Sequence, residues 1–173
     1  MYCTSLTNFT PLQLRKVEPR IHYHDYKKHK FYIYAYLNPF SPCASDYNIN
    51  GINYKFYFTP IYIGKASNRG FRHNQHVKEY LKSSADYADG VILQNPIKKE
   101  SFQRLENNML KVNNNPDNYD ISIPRNWNEY QNWIMILEEY DSHEALVQGE
   151  KQFIKKIGTI KKNNGPLVNI LLG

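Results

Sequence analysis

Two segments rich in aromatic and β-branched residues constrain the fold of this chain more than any other feature. Residues 31–37 (FYIYAYL) predict a β-strand. An Asn-Pro and a Ser-Pro pair follow directly, so we expect the strand to end there and a polar loop to run to about residue 54. Residues 54–64 predict a second extended segment, in which Pro60 marks an edge or a bend.

A helical pattern follows the second extended segment. Ser67 or Asn68 can cap a helix that runs to about Lys82. The interval 83–128 has no sustained period, although residues 105–112 are compatible with one helix.

The last third of the chain predicts one more strand and one more helix. Residues 133–138 are apolar and predict a buried strand. A start resembling a capping box at Asp141 predicts a helix that ends near Gly158. Strands and helices therefore alternate around a small sheet, and the predicted class is α/β or α+β.

The charge balance favours a polyanionic partner. The 173 residues are enough for one domain, and they carry a net charge of +6. A soluble basic protein without a nucleic-acid role is the alternative. No apolar run is long enough to cross a membrane and the N-terminus does not resemble a signal peptide, so a cytoplasmic protein is expected. Cys3 and Cys43 are too few for a structural zinc site, and free thiols are a simpler interpretation than a disulfide.

Residues 1–30 form a basic segment without a sustained period. Six basic residues stand there against two acidic ones. We interpret this segment as an N-terminal extension rather than part of a domain core. Its candidate DNA contacts are Lys27, Lys28 and Lys30.

Glu150 is a carboxylate inside an apolar helical stripe. The stripe consists of Leu146, Phe153, Ile154 and Ile157. A carboxylate on a packed face is costly unless it is paired, protonated or bound to a cation. A Glu at the edge of the stripe that reaches water, or that meets an arginine, is the alternative.

The helix after residue 67 shows a cationic face. Its members are spaced three or four residues apart: Arg69, Arg72, His73, His76 and Tyr80. Guanidinium and imidazole groups suit a phosphate, because the first offers a bidentate fork and the second can move a proton. An ordinary solvated basic face is the alternative.

Two tripeptides resemble the motif that names the GIY-YIG nuclease superfamily. Tyr32-Ile33-Tyr34 matches its first half, with Tyr32 where the family usually has Gly, and Tyr62-Ile63-Gly64 matches its second half. The likeness covers about residues 31–171 and leaves 83–128 unmatched. It continues in the same order through Lys65, Arg72, His76, Glu150 and the segment Gly165-Pro166-Leu167-Val168-Asn169.

The resemblance implies a fold and a set of roles. The fold is a small, mainly antiparallel three-stranded central sheet flanked by helices. Tyr34 and Tyr62 would be paired active-site phenols, one of which acts as or positions the base that deprotonates the attacking water. An arginine would stabilise the transition-state charge on the phosphate. Glu150 would bind one divalent ion, Mg²⁺ or Mn²⁺, that polarises the phosphate and the leaving oxygen. Asn169 would close the far wall of the site.

Two registers compete for the arginine and the histidine. Family members with an interval of ten residues between tyrosine and arginine indicate Arg72, with His76 one turn on. Members with a Gly-rich loop before Asn-Arg indicate Arg69 with His73 instead. Arg72 and His76 are our first choice. Lys65 and Arg69 are further candidates for DNA contact.

The resemblance predicts a Mg²⁺-dependent endonuclease that acts on double-stranded DNA. The nuclease domain would span 31–173, with insertions at about 38–53 and 83–128. A stand-alone phage-type or homing enzyme fits, and would act in the host cytoplasm. A small restriction enzyme also fits; cutting a palindrome needs two active sites, hence a homodimer or a transient pair. The alternatives are a catalytically silent nucleic-acid-binding module on the same fold, and a basic protein–protein adaptor.

Overall fold

The computed structural model of the chain describes residues 4–5, 21–22, 31–67, 73–84, 96–114, 123–162 and 164–169. Its strands are β1 (Thr4–Ser5), β2 (Ile21–His22), β3 (Phe31–Ile49), β4 (Ile52–Ser67) and β5 (Ile134–Glu139). Its helices are α1 (His73–Ser84), α2 (Pro96–Asn113), α3 (Trp127–Tyr130) and α4 (His143–Ile157), with a 3₁₀ turn at Gln131–Trp133.

The described residues form an α+β fold. Strands β4, β3 and β5 make a three-stranded antiparallel sheet in that order, and four helices lie in the described ranges. The short strands β1 and β2 extend the sheet antiparallel to β3 and β5. The predicted α+β class and its small antiparallel sheet are confirmed. Since β1 and β2 belong to the segment 1–30, these two parts of the predicted extension join the sheet.

The β3–β4 hairpin shows that the predicted polar loop over 38–53 is wrong. β3 is 19 residues long and β4 is 16. Asn50 and Gly51 join them with positive φ angles of 53° and 82°, as a two-residue hairpin turn requires. The prolines do not end the strand, because the pairing register shifts between Leu37 and Pro42. An irregular ladder tolerates a residue that has no N–H to donate.

The cysteines differ from the expectation of free thiols. Cys43, which is buried in β3, is disulfide-bonded. The only other cysteine in the sequence is Cys3, which lies outside the described residues. The pairing of Ser5 with Cys43 brings the start of the chain alongside β3.

The two faces of the hairpin carry different side chains. Pairing runs without a shift from Phe31 opposite Ser67 to Tyr36 opposite Tyr62, so successive side chains leave opposite faces. We call one of them the phenol face; it is defined by Tyr34, Tyr36, Tyr62 and Gly64. The other face carries Ile33, Ile63 and Lys65.

Helices cover both faces of the sheet. Helices α1 and α2 pack on the phenol face, where the ring of Tyr36 lies 5.6 Å from that of His73 and 6.2 Å from that of Phe102. Helix α4 packs on the other face through the buried Phe153, whose ring lies 4.9 Å from that of Tyr54. The functional candidates on these helices are therefore held against the hairpin from two sides.

The remaining elements largely follow the sequence. Helix α4 begins after Ser142, whose hydroxyl accepts a hydrogen bond from the Ala145 N–H, and it ends at Gly158 with a φ of 91°. Strand β5 matches the predicted strand to within a residue. Helix α2 is longer than the predicted helix at 105–112 and occupies part of the unassigned interval. Among the described helices, none is long and apolar enough to cross a membrane.

Candidate active site

Gly64 and Tyr34 are cross-strand neighbours at the centre of the site. A Cβ atom on Gly64 would lie 2.3 Å from Cζ and 2.4 Å from the hydroxyl oxygen of Tyr34. Real Cβ atoms do not approach other atoms so closely, so the Tyr34 ring can lie over β4 only because residue 64 is a glycine. The glycine of the second motif therefore has a packing role for the tyrosine of the first.

The two motif tyrosines lie side by side on the phenol face. The ring centroids of Tyr34 and Tyr62 are 6.4 Å apart. Tyr34 is fully buried, whereas Tyr62 is only partly buried. Of the two side chains, only that of Tyr62 is partly exposed to solvent.

His76 connects the tyrosines to helix α1. Its Nε2 lies 3.1 Å from the hydroxyl oxygen of Tyr34, and its ring lies edge-on to that of Tyr62 at 5.4 Å. The structure thus brings Tyr34, Tyr62 and His76 together, three of the residues that the sequence placed in the site. His76 is 7% exposed, so this contact is made inside the protein.

Lys98 completes this cluster and was missed in the sequence. Its ammonium nitrogen lies 3.1 Å from Nδ1 of His76 and 4.5 Å from the centroid of the Tyr62 ring. The side chain is buried, at 8% exposure. The helical spacing in the sequence could have identified it. Lys98 shares one helical stripe with Phe102, Leu105 and Met109, and a lysine in an apolar stripe needs a partner.

His73, the second-choice histidine, belongs to a separate pair. Its Nε2 donates to the backbone carbonyl of Trp127 at 3.0 Å, so Nδ1 accepts from the hydroxyl of Tyr36 at 2.9 Å. Burial lowers the pKa of His73 and raises that of Tyr36 well above its usual value. This neutral pair links α1 to β3 and to α3.

The described part of the helix face that was expected to meet a phosphate is packed against the sheet and α2. His73, His76 and Tyr80 are all buried. The physical reason is that imidazole and phenol groups can be buried when each finds a hydrogen-bond partner. Arg69 and Arg72 lie outside the described residues.

Glu150 is ion-paired with Lys65 across the other face of the hairpin. Lys65 Nζ lies 2.8 Å from Glu150 Oε1, and the two side chains are 33% and 19% exposed. The carboxylate in the apolar stripe thus meets a lysine rather than an arginine. Lys65 directly follows Gly64, so the ion pair lies on the opposite face of β4 from the Tyr34 ring, and the structure does not bring Glu150 into the cluster of Tyr34, Tyr62 and His76.

Glu150 offers a metal ion one carboxylate, which Lys65 contacts in this structure. Among the described residues, no group of three or more His, Cys, Asp or Glu side chains surrounds a common point. Mg²⁺ is usually bound by one or two carboxylates together with water and substrate phosphates. A single carboxylate at Glu150 fits that mode and does not fit a closed protein cage.

Asn169 braces β4 from its outer edge. Its side-chain oxygen accepts from the N–H of Ile63 at 2.9 Å, and its side-chain nitrogen donates to the carbonyl of Ile63 at 2.7 Å. Val168 adds a backbone hydrogen bond to Ile61 at 2.8 Å. Because Ile63 lies between Tyr62 and Gly64, Asn169 fixes the strand that carries both.

The remaining candidates, Lys27, Lys28 and Lys30, lie outside the described part of the chain.

Comparison of the chain with protein-family models, curated proteins and solved structures finds no match.

Proposed function

We propose that this protein is a Mg²⁺-dependent DNA endonuclease of the GIY-YIG class. The observation that carries the proposal is the Tyr34–His76 hydrogen bond, made over Gly64 and one residue away from the Lys65–Glu150 ion pair. The phenols and the imidazole lie on one face of β4, and the lysine and the carboxylate lie on the opposite face at the next residue. Residue types of this kind serve phosphodiester hydrolysis, which needs proton transfer and stabilisation of negative charge.

The phenol face supplies the proton chemistry. Tyr62 is partly exposed and meets the attacking water. Tyr34 and His76 form a buried hydrogen-bonded pair beside it, able to accept or donate a proton. The two tyrosines thus have different roles in the proposal: Tyr62 contacts the water, and Tyr34 shares a proton with His76. Their different burial agrees with this.

Glu150 and Lys65 supply the charges on the other face. A divalent ion bound at Glu150 would polarise the scissile phosphate and stabilise the leaving oxygen. Lys65, held 2.8 Å from Glu150 in this structure, is close enough to contact a phosphate oxygen once the carboxylate has another cation. Arg72, or Arg69 in the alternative register, would add a further cation for the transition state.

Double-stranded DNA is the proposed partner. The net charge of +6 favours a polyanion, because basic side chains release counterions when they neutralise phosphates. If the enzyme cuts both strands of a palindrome, a homodimer or a transient pair of subunits would supply the two active sites.

The test is nicking of supercoiled plasmid by the purified full-length protein. Conversion to open-circular and linear forms is expected with Mg²⁺ or Mn²⁺ and not with EDTA. If no DNA form is cut with any divalent ion although a gel shift shows binding, the nucleic-acid-binding module replaces the enzyme.

A further inference from the structure

Lys98 is a buried lysine in contact with the proposed proton-transfer pair. Its ammonium contacts Nδ1 of His76 on one side and the face of the Tyr62 ring on the other. The ring of Phe102 lies 5.6 Å from the same ammonium. Aromatic faces attract a cation, so this environment suits the charged form of lysine.

The donors and acceptors that Lys98 and His76 carry determine which atom donates in each hydrogen bond of the cluster. An ammonium has three donors and no acceptor, so Lys98 donates to Nδ1 of His76. A neutral imidazole then carries its proton on Nε2. Since Nε2 lies 3.1 Å from the hydroxyl oxygen of Tyr34, His76 donates to Tyr34.

We infer that Lys98 is a positioning residue of the proposed active site, which directs the Nε2–H of His76 toward the hydroxyl oxygen of Tyr34. Tyr34 then keeps its own proton for a second acceptor. A hydroxyl that accepts a hydrogen bond also becomes a stronger donor. Lys98 thus acts through His76 on Tyr34. This inference rests on the proposed nuclease function, but the proton position is a property of the protein without DNA.

His73 provides an internal reference. It lies on the same helix, and its own proton is fixed on Nε2 by the carbonyl of Trp127, at a distance of 3.0 Å. The two contacts that fix this tautomer, with Trp127 and Tyr36, do not include Lys98. The tautomer of His73 should therefore not respond to a change at Lys98.

The test is an imidazole ¹⁵N NMR spectrum of the full-length protein at neutral pH. We expect His76 in the Nε2–H form in the wild type and a mixture of tautomers in Lys98→Met, with the His73 signals unchanged. Methionine keeps an apolar stem against Tyr62 and Phe102 and removes the ammonium. Lys99→Met, the same change one residue along α2, should leave His76 as in the wild type. An Nδ1–H signal for wild-type His76 would overturn the inference.

Cleavage of plasmid is the second readout. Lys98→Met should nick about 10- to 100-fold more slowly than the wild type, which is the usual scale for a group that orients another. Lys98→Arg should recover part of the rate, because it restores a cationic donor. If the tautomer changes while the rate does not, the positioning role is refuted. A wild type that cuts no DNA would instead refute the proposed function, whereas the NMR result would still decide the proton position.

Discussion

The ammonium of Lys65 lies 2.8 Å from Oε1 of Glu150, so the carboxylate proposed to hold the metal ion has a cation beside it in the protein alone. A divalent ion would compete with the Lys65 ammonium, because both need the carboxylate oxygen atoms of Glu150. The two side chains are 33% and 19% exposed, and an ion pair that water still reaches contributes on the order of 1 kcal/mol, so a metal ion can displace it at small cost.

This competition predicts that Lys65→Met binds Mn²⁺ up to about fivefold more tightly than the wild type. The measurement is a titration followed by electron paramagnetic resonance of free Mn²⁺. Lys55→Met is the matched control, since Lys55 is an exposed lysine on the same strand. Weaker binding by Lys65→Met would show that the lysine assists the metal site instead of competing with it.

The close approach of Gly64 to Tyr34 predicts that Gly64→Ala lowers the free energy of unfolding by about 1–3 kcal/mol, the usual cost of an atom forced into packed space. Urea denaturation measures this loss. In the Tyr34→Leu background, which lacks the Cζ and hydroxyl atoms, Gly64→Ala should lower the free energy of unfolding by clearly less. Equal costs in the two backgrounds would mean that the tyrosine ring is not what excludes a side chain at Gly64.

The buried His73 predicts a pH dependence of stability. Burial lowers its pKa below the usual 6.5, so the unfolded chain binds this proton more readily than the folded protein. Its contribution to stability is therefore complete above pH 6.5 and is lost as the pH falls from 6.5 toward the lower pKa of the folded state. Urea denaturation between pH 7.5 and 5.5 should show a smaller loss of stability for His73→Gln than for the wild type. Parallel curves would contradict a neutral His73 in the fold.

The basic N-terminal segment predicts a salt dependence of DNA binding. Deleting 1–30 would also remove β1 and β2, so substitution is the cleaner experiment. Replacing Lys27, Lys28 and Lys30 by glutamine should reduce the slope of log K against log salt by up to about 2.7, since each neutralised phosphate contributes about 0.9.

The control for net charge is a second triple substitution in the described part of the chain. Lys155, Lys156 and Lys161 are exposed, and replacing them by glutamine makes the same change in charge. If both triple variants lower the slope equally, the N-terminal lysines have no special role in DNA contact.

Local sequence patterns predicted the elements whose signals agree with one another. Ser142 and Gly158 mark the two ends of α4, and the apolar stripe between them is buried as expected. The β3–β4 hairpin was not predicted because two kinds of sequence signal conflict. The Asn50-Gly51 pair and the alternation of Tyr47 and Ile49 with polar residues indicate paired strands, whereas the prolines indicate a loop. Only the tertiary pairing resolves the conflict.

The candidate site was predictable where a residue type is unusual for its position. Glu150 stood out as a carboxylate in an apolar stripe, and Lys98 carries the same kind of signal in α2. The partner of each could not be read from the sequence. Lys65 meets Glu150 across 85 residues and Lys98 meets His76 across 22, and such contacts depend on how helices pack on the sheet.

The proposed metal-binding role of Glu150 can be tested by comparing two glutamates on the same helix. Glu150→Gln should nick supercoiled plasmid at least about 100-fold more slowly than the wild type in Mg²⁺, the scale expected for loss of one transition-state electrostatic contact, while still binding DNA in a gel shift. Glu144→Gln, an exposed position in the first turn of α4, should nick at the wild-type rate. Nicking at the wild-type rate by Glu150→Gln would show that Glu150 does not hold a catalytic metal ion.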